Sequence, residues 1–142
     1  MNTNKAHIQY QTNSIKTATP QELTFMLYNG LVRFIKMSIQ GIEEKNVENS
    51  NNYNIRAQDI LSEFMLTLDY KYEVSSNLLA LYDYMRRRLI EANIKKDIDI
   101  MKEVLGFAEE LRDTWAQAMK IAKQQQNQIA QQQKTMLAQQ EK

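Results

Sequence analysis

The chain has 142 residues, enough for one domain with a real core and too few to expect two. With 18 Lys and Arg against 17 Asp and Glu, its net charge of +1 gives no general attraction for nucleic acid or an acidic membrane. The absence of cysteine excludes disulfides, thiol catalysis and zinc–thiolate sites.

Residues 1–18 are mostly polar and read as a mobile N-terminal arm, with Ile8, Tyr10 and Ile15 as isolated apolar anchors. Met1 to His7 lack the hydrophobic core of a signal peptide, so a cytoplasmic location is expected. A helical domain is expected over 19–122. Thr19 and Glu22 have the spacing of a capping box, and Pro20, the only proline, stands where a first helical residue needs no N–H. The spacing predicts a helix from Pro20 to Glu44. At about 100° per residue, Leu23, Met26, Leu27, Leu31, Phe34, Ile35, Met37 and Ile42 share one broad face. Phe25, Tyr28, Val32 and Ile39 widen it to roughly 260°, leaving Asn29, Arg33, Lys36 and Gln40 as the polar strip. A bundle helix needs only roughly 100° of apolar surface. Something besides its core neighbours is therefore expected to cover this one.

The Asn-rich stretch from Lys45 to Asn52 reads as a connection, because asparagine favours turns and caps. A second helix is expected from near Ser50 to Leu68, with Tyr53, Ala57, Ile60, Leu61, Phe64, Met65 and Leu68 on one side. Ile55 and Leu66 form a small patch outside that face. The short link from Asp69 to Val74 favours antiparallel packing. Ser75 or Ser76 can cap a third helix reaching Asn93, whose stripe of Leu78, Leu81, Tyr82, Met85, Leu89 and Ala92 is narrow. A fourth helix starts near Asp97 and carries Met101, Val104, Leu105, Ala108, Leu111, Trp115 and Met119 on its core side. Trp115 lies within that stripe and reads as a packing anchor rather than a ligand site. Residues 123–142 are Gln-rich and extend the fourth helix as a solvated rod or fray into a disordered tail. Few helix breakers and no two-residue alternation make the fold class all-α, an antiparallel four-helix bundle. No apolar run reaches the roughly 18 residues a membrane span needs, so no stable membrane insertion is expected.

Catalysis finds little support. The single histidine, His7, lies in the arm, so a di-metal bundle site cannot be assembled and no metal or cofactor is expected. Gly30, Gly41 and Gly106 are isolated on helices and form no phosphate loop; each can instead permit close helix approach. Glu43-Glu44 and Glu109-Glu110 fall at a helix end or on polar faces, where carboxylates make poor acids at neutral pH. Arg86-Arg87-Arg88 reads as a solvated face. An enzyme would need a carboxylate or lysine buried in a cleft with strongly displaced titration. What remains is binding by apolar surface. Eight methionines, the broad face of the first helix and several tyrosines suit a groove for an amphipathic partner helix, although the same stripes can simply be core. The alternative is a non-catalytic adaptor that self-associates through its apolar face.

Several short segments resemble one family. Tyr10-Gln-Thr-Asn13, Thr17-Ala-Thr-Pro-Gln-Glu-Leu23 and Met26-Leu-Tyr-Asn-Gly30 are similar to the flagellin export chaperone family, FliS. Ala57-Gln58, Leu68-Asp69, Asn77-Leu78, Leu81-Tyr-Asp-Tyr-Met85, Leu89, Ala92-Asn93, Leu111-Arg112 and Trp115 follow in the order that family shows. The resemblance covers residues 8–119 and leaves the Gln-rich tail outside it. It implies a helical bundle that holds the disordered C-terminal segment of flagellin in the cytoplasm. That segment becomes helical on the chaperone, is kept from premature polymerisation, and reaches the flagellar type III export gate. The free chaperone would be a monomer or weak dimer. Expected groove residues are Tyr10, Leu23, Met26, Leu27, Tyr28, Leu31, Leu78, Tyr82, Met85 and Leu89. Ile8, Tyr10 and Ile15 of the arm would shield part of the groove until the partner displaces them.

Overall fold

A computed structural model of the protein describes residues 17–141. Helix α1 spans Pro20–Glu43 and begins with the capping box: the Glu22 N–H donates to Thr19 Oγ1 at 3.2 Å, and the Thr19 N–H donates to Glu22 Oε2 at 3.3 Å. Helix α2 spans Val47–Thr67 and starts earlier than the expected beginning near Ser50. Asn46 supplies the cap instead, its Oδ1 accepting the Asn49 N–H at 3.1 Å. Ser50 thereby falls inside the helix and is buried against α1.

Helix α3 spans Val74–Lys95, and neither expected serine caps it. Ser75 lies within the first turn, its hydroxyl donating to the Asp69 carbonyl at 2.5 Å. The helix ends at Lys96, held in the left-handed region at φ 53°. Helix α4 runs Ile98–Gln140, a single helix of 43 residues capped by Asp97, whose Oδ1 accepts the N–H groups of Asp99 and Ile100. It continues without a break into the Gln-rich segment, and every described residue beyond Lys120 is exposed.

Each helix packs on its chain neighbours, and α4 closes the ring against α1, giving an antiparallel bundle. Among the described residues there is no strand. The core joins Leu31, Ile35, Leu61, Met85, Leu89 and Met101, all fully enclosed. Two polar devices hold its register. Asn54 on α2 donates to the Leu89 carbonyl of α3 at 3.0 Å and accepts from Gln58 at 2.7 Å, so its buried amide is satisfied. Where α1 turns into α2, a Cβ on Gly41 would meet the Ser50 amide nitrogen at 2.7 Å, so only glycine lets the helices approach this closely. Ser38 seals that crossing by donating to the Ser50 carbonyl at 2.8 Å. Gly106, by contrast, faces open space and mediates no close approach.

Candidate binding clefts

Two clefts flank the first turns of α1. On one side Leu23, Met26, Leu27, Gly30 and Phe34 of α1 meet Ile60 of α2 around a cleft of about 640 Å³, with Asn29 and Arg33 at its edge. Leu23 and Met26 keep 36% and 38% of their surfaces exposed. Gly30 forms the floor: a Cβ there would lie 3.4 Å from Ile60 Cδ1, so its missing side chain preserves the hollow. The second cleft, about 520 Å³, opens where the start of α1, the end of α2, the start of α3 and the middle of α4 converge. Phe64, Leu68, Tyr72, Leu78 and Trp115 line it above the Tyr28–Tyr82 pair.

That pair ties diagonal helices together. The Tyr28 and Tyr82 hydroxyls are 2.5 Å apart inside the core. Phe64 packs on both rings, at centroid distances of 4.5 Å and 5.3 Å. Burial pushes both phenols above their ordinary value, and the shared hydrogen bond adds to the rise at Tyr82. Trp115 stands at the cleft wall, half-buried as a packing anchor, and its Nε1–H donates to the Gln21 carbonyl at 3.0 Å. The body of the ring therefore fixes α4 against α1 while one edge faces the opening.

The expected groove residues separate by depth. Leu23 and Met26 are exposed and Leu27 is half-buried, all three at the first cleft, while Leu78 is half-buried at the second. Tyr28 and Tyr82 are buried but still line the bottom of the second cleft, whereas Leu31, Met85 and Leu89 are fully enclosed and line neither cleft. Packing against α2 and α4 uses up the middle and end of the narrow α3 stripe, at Met85, Leu89 and Ala92, and leaves only its start, at Leu78 and Tyr82, beside a cleft. Ile8, Tyr10 and Ile15 lie outside the described residues. Sequence reasoning did not bring Gly30, Phe34, Arg33 and Ile60 together as a site. The available signal was that Phe34 and Gly30 follow Met26 and Leu27 at helical spacing.

Among the described residues, no group of three or more His, Cys, Asp or Glu could hold a metal ion. Glu103 is held below the usual carboxylate range by the Tyr84 hydroxyl and then by Arg88; Glu91 is held down by Lys95 and then by Arg88. Partial burial lowers the Lys96 amine, which donates to Asn93 at 2.6 Å. All three lie at the α3–α4 face or turn and line neither cleft. They are structural ion pairs and caps. No helix among the described residues is long and apolar enough to cross a membrane.

The described residues thus form an all-α bundle with two apolar clefts and no metal-binding cluster. The model of the family described as "Flagellar protein FliS" matches residues 2–123, and the chain belongs to that family, the flagellar secretion chaperones. It is 48% identical over 111 residues to the flagellar secretion chaperone FliS of Bacillus subtilis, covering 78% of this chain and 84% of that protein. It is 30% identical over 119 residues to the Campylobacter jejuni protein of the same name, covering 82% of this chain and 93% of that one. A crystal structure of a flagellar chaperone from bacteria superposes with a TM-score of 0.67 at 16% identity, over 82% of this chain and 96% of that one, a likeness of fold.

Proposed function

We propose that this protein is a cytoplasmic export chaperone that captures the C-terminal segment of flagellin, keeps it from polymerising and passes it to the flagellar type III export apparatus. The reading is supported above all by the α1/α2 cleft, where Leu23 and Met26 remain exposed on a helix otherwise packed by α2 and α4. Its apolar floor from Leu23 to Phe34 extends roughly 16 Å, the length of about three helical turns. An amphipathic segment presenting apolar side chains at i, i+3 or i+4, and i+7 fits such a groove.

A disordered segment that folds on binding loses conformational entropy, so a single cleft is a small reward. The second cleft, around Leu78 and Trp115, offers a further berth on the other side of α1, and a wrapped segment engages both. The arm residues Ile8, Tyr10 and Ile15 then serve as a cover that the partner displaces. Delivery follows from exchange: a partner held by apolar contact on an open surface can be released without breaking a covalent bond.

Two substitutions test the cleft directly. Gly30→Leu fills the floor and Met26→Asp places a charge on its wall; a Cβ at Gly30 meets only side-chain ends at 3.4 Å or more, and Met26 is 38% exposed, so both positions tolerate change. Titration calorimetry with flagellin is expected to show binding weakened by tenfold or more, about 1.4 kcal/mol, with helix content unchanged. Wild-type affinity in both variants overturns this assignment of the cleft.

A further inference from the structure

We propose that Arg33 and Arg56 make the α1/α2 cleft selective for an apolar helical segment bearing carboxylates beside its buried face, and that Glu63 sets the direction in which it lies. The inference rests on the reading that this cleft holds the exported partner.

The arginines converge on one aromatic. The Arg33 guanidinium carbon lies 5.2 Å from the Phe34 ring centroid; that of Arg56 lies 5.7 Å from the same ring. Arg56 is also 5.7 Å from the Tyr53 ring, which stacks on Phe34. Phe34 in turn lines the cleft. Both arginines are exposed, and among the described residues neither forms an ion pair, whereas Arg87, Arg88 and Arg112 do. A guanidinium resting on a ring face gives up little freedom when a carboxylate arrives, because its planar fork is already positioned. Such a pair beside an apolar floor is an acceptor site for carboxylates that lacks its acid.

Toward the Leu23 end the flanking helices carry acidic residues instead. α2 runs antiparallel to α1, with Ile60 beside Gly30. Glu63 therefore stands two turns, roughly 10 Å, from Arg56 toward the Leu23 end. Glu22 lies at that end too, engaged in the α1 cap, while Lys36 adds positive charge one turn beyond Arg33. Asp59 is exposed one turn from Arg56, and no ion pair joins the two. A segment with acidic side chains at one end pairs with the arginines in one direction and meets Glu63 in the other. Like-charge contact of that kind suppresses wrong registers more than it adds affinity.

The chain's own ends do not supply the missing acid. Residues 1–16 contain Lys5, His7 and Lys16 and no Asp or Glu, and residues 123–142 contain Lys123, Lys134 and Lys142 against Glu141 alone.

Binding of the flagellin C-terminal segment, measured by biolayer interferometry at low and high salt (about 0.05 and 0.5 M), tests this. Wild type, Arg33→Gln/Arg56→Gln, Arg33→Lys/Arg56→Lys and Met26→Asp are compared after circular dichroism confirms equal helix content. The glutamine pair is expected to bind roughly five- to tenfold more weakly at low salt, mainly through a slower on-rate, and to lose most of the salt dependence. The lysine pair restores the salt dependence. Replacing the segment's carboxylates by amides reproduces the glutamine result on the wild type. If the glutamine pair keeps wild-type affinity and salt response while Met26→Asp abolishes binding, the cleft stands and the role of the arginines is refuted. If Met26→Asp binds as wild type does, the cleft assignment fails and this inference fails with it.

Discussion

Tyr28 and Tyr82 share a hydrogen bond that neither can replace from solvent, so removing one hydroxyl orphans the other. Tyr82→Phe is expected to lower stability by about 1–2 kcal/mol in urea denaturation at neutral pH. The double variant Tyr28→Phe/Tyr82→Phe should lose less than the sum of the two single changes, because no buried hydroxyl is left unpaired. The pH dependence has a definite sign. Both phenols sit above their ordinary value of 10.0 when folded, so the unfolded chain releases protons first. Their contribution is complete below that value and is lost as the pH rises past it. Wild type should therefore destabilise more steeply than the double Phe variant above pH 10; equal slopes would contradict the account. This pair was hard to read from sequence, because Tyr28 lies at the margin of the wide apolar arc of α1. A diagonal contact leaves no periodic signal. The Thr19–Glu22 cap was readable because it is local, made by residues three apart.

At the level of helices, glycine separates two cases that look alike in sequence. Gly41→Ala drives a Cβ into the Ser50 backbone at 2.7 Å and is expected to destabilise by about 1–3 kcal/mol. Gly106→Ala has nothing within 4 Å and should stabilise α4 by about 0.5–1 kcal/mol. Thermal melts of the two variants moving in the same direction would contradict the assigned crossing. The boundaries of α1 and the faces of all four helices follow from periodicity, since burial repeats at the helical period. The start of α2 did not, because several asparagines compete for one cap and only tertiary packing at Gly41 decides that Ser50 is inside. Similarly, the α3 stripe could be recognised as apolar, but whether it met core or partner depended on the neighbours it packs against.

For the whole molecule, the bundle closes without its ends. Every described residue beyond Lys120 is exposed, so deleting 123–142 should leave the melting temperature within about 2 °C while lowering helical ellipticity. A large loss of stability would show that the tail packs on the bundle. Deleting 1–18 tests the arm in a different way: the free protein should self-associate more readily yet still bind flagellin, and global unfolding would reject the proposed cover. The excess apolar arc of α1 was legible and pointed to an unfilled berth. The position of the α1/α2 cleft, with Arg33 at its edge, required the pairing of helices that no single stretch encodes. The most direct measurement compares binding of the wild-type protein to full-length flagellin and to flagellin lacking its C-terminal segment, by calorimetry at one protein concentration. The account predicts a 1:1 complex with the full-length protein and no detectable complex with the truncated one. Equal affinity for both would contradict it.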